Sequence, residues 1–145
     1  MSIPISQHLS LDEFACHDGT PYPAEWIAER LTPLCTVLEA VREGCGARPI
    51  TILSGYRTPV HNAELRAADG SGTGVASQSQ HLYGRAADIR VEGMAPSDVH
   101  QVVLTLYRAR RIVIGGLGIY PGWVHVDIRE QEPMGHLARW TGAGV

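Results

Sequence analysis

Histidine and aspartate side chains recur on one face of two predicted strands, where they could bind a metal ion. In the segment 123–129, His125 and Asp127 alternate with valines and an isoleucine, so they point away from the apolar face. In the segment 86–91, Asp88 is likewise on the face opposite to the apolar residues. If the two strands are neighbours, Asp88 and His125 face the same cavity.

A second histidine lies shortly before Asp88. Gly84 stands between His81 and Asp88 and permits a sharp turn that brings the two side chains together. Two histidines and one carboxylate leave a tetrahedral zinc ion with one position open for water, as in catalytic sites. Their spacing alone leaves two interpretations equally open. Either His81, Asp88 and His125 form a zinc site, or they have ordinary structural roles.

The elements that must position these residues are short helices and strands. Helices are predicted over 24–43, 61–68 and 97–111, with a break at Thr32-Pro33 and with Ser97 as the last N-cap. Strands are predicted over 49–53, 86–91, 117–120 and 123–129, and Pro121-Gly122 fits a type II turn. Residues 5–23 are expected to be irregular, and 69–79, rich in Gly and Ser, to be the most mobile segment.

This order of elements predicts an α+β fold. We expect one domain over 1–145, with a small, mostly antiparallel sheet, helices packed on one side of it and the zinc cleft on the other. The 145 residues suffice for one core, and the net charge of −3 gives no reason to expect nucleic acid or membrane as a partner. We expect a monomer.

The chain has three cysteines, Cys16, Cys35 and Cys45. An odd number without C-x-x-C spacing argues against both a disulfide framework and a thiolate zinc site. All three are expected to be reduced.

Among the tryptophans, Trp123 is expected to form a wall of the cleft, and Trp26 and Trp140 to serve in packing.

Several segments resemble a known family. Ser79–Asp88 matches the pattern S-x-H-x-x-G-x-A-x-D, and it is followed later by Val-His-Val-Asp at 124–127. Together they resemble the D-Ala-D-Ala carboxypeptidases and peptidoglycan endopeptidases, a branch of the zinc superfamily that includes lysostaphin and the hedgehog signalling domain. The segment 54–59 (SGYRTP), the lead-in 9–23 and Arg139-Trp140 are also similar to members of this branch.

The resemblance assigns roles to individual residues. It implies that His81, Asp88 and His125 bind one zinc ion per chain, and that Arg57 holds a substrate carboxylate or stabilises an oxyanion. Ser79 and Trp123 are expected to contact the substrate. The alternative for Arg57 is an ion pair at the surface.

The general base does not follow from the resemblance. Several relatives have Glu or Asp where this chain has Gly122, and others have His where it has Trp123. Asp127, two residues after His125, is our candidate for the base. It could equally support a ligand histidine without touching water, and both roles stay open.

The implied function is zinc-dependent hydrolysis of peptide bonds in peptidoglycan stem peptides, by a D,D-carboxypeptidase or an L-alanyl-D-glutamate-type endopeptidase. The alternatives are a zinc-containing module that binds wall peptide or protein without cutting, and a dipeptidase acting on free D-Ala-D-Ala. Residues 1–10 do not resemble a signal peptide, so we expect action on the wall after release or secretion, as with a phage lysin or an effector.

Overall fold

A computed structural model describes residues 2–69, 79–130 and 135–142 of the chain. The mobility predicted for 69–79 falls almost wholly outside these ranges, and the prediction of one domain over 1–145 also includes residues beyond them. None of the described helices has the length and apolar character needed to cross a bilayer.

Three α-helices and five strands form the described part of the fold. The helices are α1 (Thr32–Gly44), α2 (Pro59–Asp69) and α3 (Pro96–Arg108), and the strands are β1 (Ile50–Ser54), β2 (Ala86–Val91), β3 (Gly116–Ile119), β4 (Val124–Asp127) and β5 (Ala138–Thr141). The strands form one sheet in the order β1-β2-β4-β3-β5. All neighbours are antiparallel except β3 and β5, which are parallel. The predicted α+β class is confirmed.

The two faces of the sheet differ in character, as the alternation in the sequence predicted. One face carries buried apolar side chains that share a core with α1 and α3: Ala87, Ile89, Val91, Leu117, Val124 and Val126. The opposite face carries Asp88, His125 and Asp127, which are also buried. The polar residues are therefore held by the same short strands that form the core.

The helical segment after residue 23 has no capped restart at Thr32. A 3₁₀ turn (Ala24–Trp26) and a π-helix (Ile27–Leu31) lead directly into α1, and Leu31 already has helical angles, φ −72° and ψ −44°. The predicted N-cap at Thr32 is therefore wrong. Pro33 cannot donate a backbone hydrogen bond, and the change from π- to α-helix occurs beside it.

Two further local predictions are wrong. Helix α3 has Ala95 as its N-cap and Pro96 as its first residue, so Ser97 lies inside the helix. Pro suits the first helical position, where its missing N–H costs nothing. A type II turn requires a positive φ at its third residue, and Gly122 does not have one. The loop between β3 and β4 is therefore not a type II turn. Glycine adopts either sign of φ, and its presence did not fix the turn type.

Strand β5 and the glycines of β3 were not predicted as parts of the site face. Gly116 is opposite Asp127, and Gly118 is opposite both His125 on β4 and Trp140 on β5. A Cβ atom at Gly116 would overlap the Asp127 carboxylate, and one at Gly118 would overlap the Trp140 indole. The glycines therefore leave the space into which these larger side chains fit.

We expect Gly118→Ala to lower the free energy of unfolding by about 1–3 kcal/mol, because the added methyl group overpacks the site face. Denaturant unfolding of the purified variant measures this change. Gly122→Ala is the matched control, since its Cβ would meet the Arg90 guanidinium only at 3.4 Å. Equal stability of the Gly118→Ala variant and the wild type would contradict the packing described here.

Candidate metal centre

The register of β2 against β4 brings the central carboxylate and imidazole together. Asp88 and His125 are directly opposite each other in the antiparallel pair, so their side chains lie on the same face. The Asp88 Oδ1 atom is 3.0 Å from His125 Nδ1. Both residues are almost completely buried.

His81 reaches the same place from a 3₁₀ turn (Gln80–Tyr83). The Ser79 hydroxyl oxygen accepts a hydrogen bond from the His81 backbone N–H at 3.2 Å and so caps the turn. Gly84 ends the turn with a left-handed φ of +67°, and a Cβ there would collide with Tyr22. The chain then enters β2 at Ala86. The predicted turn at Gly84 is confirmed.

The three side chains have the spacing of metal ligands. His81 Nε2 is 3.2 Å from Asp88 Oδ1, and ligand atoms of His81, Asp88 and His125 all lie within 4.8 Å of one another. Tetrahedral zinc with bonds of about 2.0 Å holds neighbouring ligand atoms about 3.3 Å apart. The residues therefore fit a metal ion in size and in donor type.

Hydrogen bonds fix the orientation of both imidazoles. His81 Nδ1 lies 2.6 Å from the Gly55 carbonyl oxygen, which requires that Nδ1 carries the proton. His81 Nε2 is then left with a lone pair, and it is buried without a hydrogen-bond partner. A buried polar atom in this state is unusual, and a bound cation would satisfy it.

His125 is oriented by a carboxylate in the same way. Its Nε2 is 2.8 Å from Asp127 Oδ2, which leaves Nδ1 to face Asp88 and the neighbouring His81. Burial lowers the pKa of His125, but the hydrogen bonds to Asp127 and Asp88 outweigh it and raise that pKa. For His81, burial outweighs the attraction of Asp88 and lowers the pKa.

Arg57 forms an ion pair with Asp88 through Oδ2, the outer carboxylate oxygen, whereas the histidines contact the inner oxygen Oδ1. Its Nη2 donates to Asp88 Oδ2 at 3.3 Å, and its Nε donates to the Ser54 hydroxyl at 3.2 Å. Arg57 is only 8% exposed, so this is a buried ion pair and not one at the surface. Burial opposes the charge of Asp88, but both histidines outweigh it, and the pKa of Asp88 is well below its ordinary value.

Asp127 is fully enclosed by protein donors. Its Oδ1 accepts from the Arg129 backbone N–H at 3.1 Å and from Arg129 Nε at 2.8 Å, and its Oδ2 lies 2.6 Å from Arg129 Nη2. Its exposed fraction is 0%. Burial raises the pKa of Asp127, but Arg129 and His125 outweigh it and lower that pKa.

Aromatic residues flank the cluster, and two of them were missed as site residues. Tyr120 stacks on Trp123, with centroids 4.7 Å apart, and its hydroxyl accepts from Trp140 Nε1 at 2.9 Å. The Trp140 ring centroid is 5.0 Å from that of His125. Tyr120 follows Gly118 by two positions, so extending the strand alternation beyond β3 would have placed it on the site face.

Comparison with known proteins identifies the family of this chain. The Peptidase M15 family matches residues 7–127. The peptidoglycan L,D-endopeptidase MepK of Escherichia coli K12 is 40% identical over 82 residues, which cover 55% of this chain and 40% of the relative. Proteins of the same name from Escherichia coli O157:H7 and Shigella flexneri match to the same extent. The chain thus spans about two fifths of the length of these relatives, but the family match covers most of its own residues. This chain belongs to the Peptidase M15 family.

Proposed function

We propose that the protein is a zinc-dependent hydrolase of peptide bonds in peptidoglycan stem peptides. The observation that carries this proposal is the buried, unpartnered Nε2 of His81, aimed at Asp88 beside a correctly oriented His125. His81, Asp88 and His125 would hold the ion. Membership of a peptidase family supports the reaction class, and the name of the MepK relatives supports the substrate class.

Between the two types of cleavage, we favour an endopeptidase acting at an L,D bond. The support is the 40% identity to relatives named L,D-endopeptidases. A carboxypeptidase must capture a free carboxylate, whereas an endopeptidase needs a groove open at both ends. The products released from defined muropeptides distinguish the two.

Each residue of the site has a separate task in this proposal. Bound zinc would polarise the scissile carbonyl and activate water. Arg57 would present guanidinium donors to a substrate carboxylate or to the developing oxyanion, while its ion pair holds Asp88 in place. Trp123, stacked on Tyr120, would form an apolar wall for the peptide. Ser79 remains a predicted substrate contact, and its capping hydrogen bond supports a role in positioning His81.

For Asp127 we propose the supporting role and not that of general base. Within the described part of the chain, the side-chain partners of its carboxylate are Arg129 and His125, and no part of it is exposed. A base must come within hydrogen-bond distance of the water it deprotonates. Asp127 instead keeps the proton of His125 on Nε2 and leaves Nδ1 free for the metal.

We expect His81→Ala to bind one metal ion per chain fewer than the wild type, because its Nε2 has no substitute among the described neighbours. Metal content after gel filtration, by mass spectrometry, measures this difference. His136→Ala, which removes an exposed histidine, should match the wild type. Equal metal content in the wild type and His81→Ala would overturn the assignment of His81.

Incubation of peptidoglycan with the purified protein should generate new free amino groups, because each cleaved peptide bond yields one. A chelator should abolish this activity. His81→Ala should lower the rate by more than about 100-fold, exceeding the usual effect of residues that only support a ligand. Bound metal without any product after long incubation would instead establish the non-catalytic binding module. Activity on free D-Ala-D-Ala but not on wall would establish a dipeptidase.

Asp127→Asn separates the two roles of this carboxylate. If Asp127 supports His125, the variant should bind zinc about 10–100-fold more weakly, and excess zinc should restore most of the activity. The measurements are a zinc titration and kcat at saturating zinc. Unchanged zinc affinity with a kcat that zinc does not restore would show that Asp127 is the base.

A further inference from the structure

A second group of metal-binding side chains lies where the lead-in meets the start of α2. Ligand atoms of Cys16, Asp18 and His61 lie within 4.8 Å of one another. Cys16 is buried, Asp18 is exposed and His61 is half-buried. Because Cys16 and His61 are 45 residues apart, their spacing in the sequence does not reveal the group.

Thr58 organises this group. Its backbone N–H donates to Cys16 Sγ at 3.5 Å, and its hydroxyl donates to Asp18 Oδ2 at 2.8 Å. The same hydroxyl oxygen accepts from the His61 backbone N–H at 3.1 Å and so caps the start of α2. One residue thus fixes the thiol, the carboxylate and the backbone of the imidazole relative to each other.

The surroundings favour negatively charged ligands. The N-terminal end of the eleven-residue helix α2, which presents a partial positive charge, lies next to Cys16 and Asp18. Hydrogen bonds from Thr20 and Thr58 hold the pKa of Asp18 well below its ordinary value. None of the three cysteines is in a disulfide, so the Cys16 sulfur is free to bind a cation.

We propose that Cys16, Asp18 and His61 bind a second divalent cation, zinc, at a site separate from the His81–Asp88–His125 cluster. Thiolate, imidazole and carboxylate are the three donor types that zinc takes in proteins. The ligand atoms of a tetrahedral zinc site are about 3.3–3.6 Å apart, so those of Cys16, Asp18 and His61, which lie within 4.8 Å of one another, would move closer together when the ion binds. Water completes the coordination on the exposed side.

The site would stabilise the loop that carries Arg57. Thr58 is the next residue after Arg57, and the Arg57 backbone N–H donates to the His81 carbonyl oxygen at 3.0 Å. A cation bound by Cys16, Asp18 and His61 would link the lead-in to the beginning of α2, just after Arg57. The loop would then be held at Arg57 by His81 and next to it by the cation. Its role is therefore structural, and it does not depend on the proposed hydrolysis.

Cobalt(II) distinguishes the two sites, because only the second contains sulfur. Reduced, metal-free protein is titrated with cobalt(II), and the thiolate-to-cobalt charge-transfer absorption in the near ultraviolet is recorded. We expect the band in the wild type and in His81→Ala, with two cobalt ions bound per chain in the former and one in the latter. Absence of the band in the folded wild type would overturn the proposal.

Variants at the second site make the test specific. Cys16→Ala, Asp18→Asn and His61→Ala should each lose one bound ion and the band, and they should keep the ion held by His81. Cys45→Ala removes a buried thiol outside the group and should keep both. Circular dichroism confirms that each variant is folded. A band that persists in folded Cys16→Ala, or that disappears in folded Cys45→Ala, would contradict the assignment.

Discussion

The antiparallel register of β2 against β4 is the constraint on which the metal centre depends. It places Asp88 opposite His125 and, at the same time, turns the apolar residues of both strands into the core with α1 and α3. A slip of one residue would reverse both faces of a strand, placing a carboxylate in the apolar core and valines in the polar site. The free energy that holds the core together therefore also fixes the distance between two of the proposed ligands.

Groups around the metal centre orient the side chains that it contains. The Gly55 carbonyl and the Asp127 carboxylate each engage one nitrogen of a histidine, so that the other nitrogen faces Asp88. Arg57 binds the outer oxygen of Asp88 and leaves the inner one to the histidines. Such prior ordering lowers the entropic cost of binding a metal ion, and it explains why so many polar groups are buried in so small a chain.

Much of this arrangement followed from the sequence, because strand alternation is a local property. The alternation in 86–91 and 123–129 placed Asp88 and His125 on one face, and Gly84 indicated the turn that brings in His81. The enclosure of Asp127 did not follow, since it depends on how the Arg129 side chain folds back. Strand β5 was missed because it is a four-residue edge strand that is recognisable only by its pairing with β3. The group around Thr58 could not be found either, because its members meet only in the folded chain.

A crystal structure of the zinc-loaded protein, with anomalous diffraction measured at the zinc edge, tests the central claim most directly. We expect a peak bonded to His81 Nε2, Asp88 Oδ1 and His125 Nδ1, with a solvent molecule at the fourth position. Density without a peak between these atoms, or zinc bound through His81 Nδ1 or His125 Nε2, would contradict it.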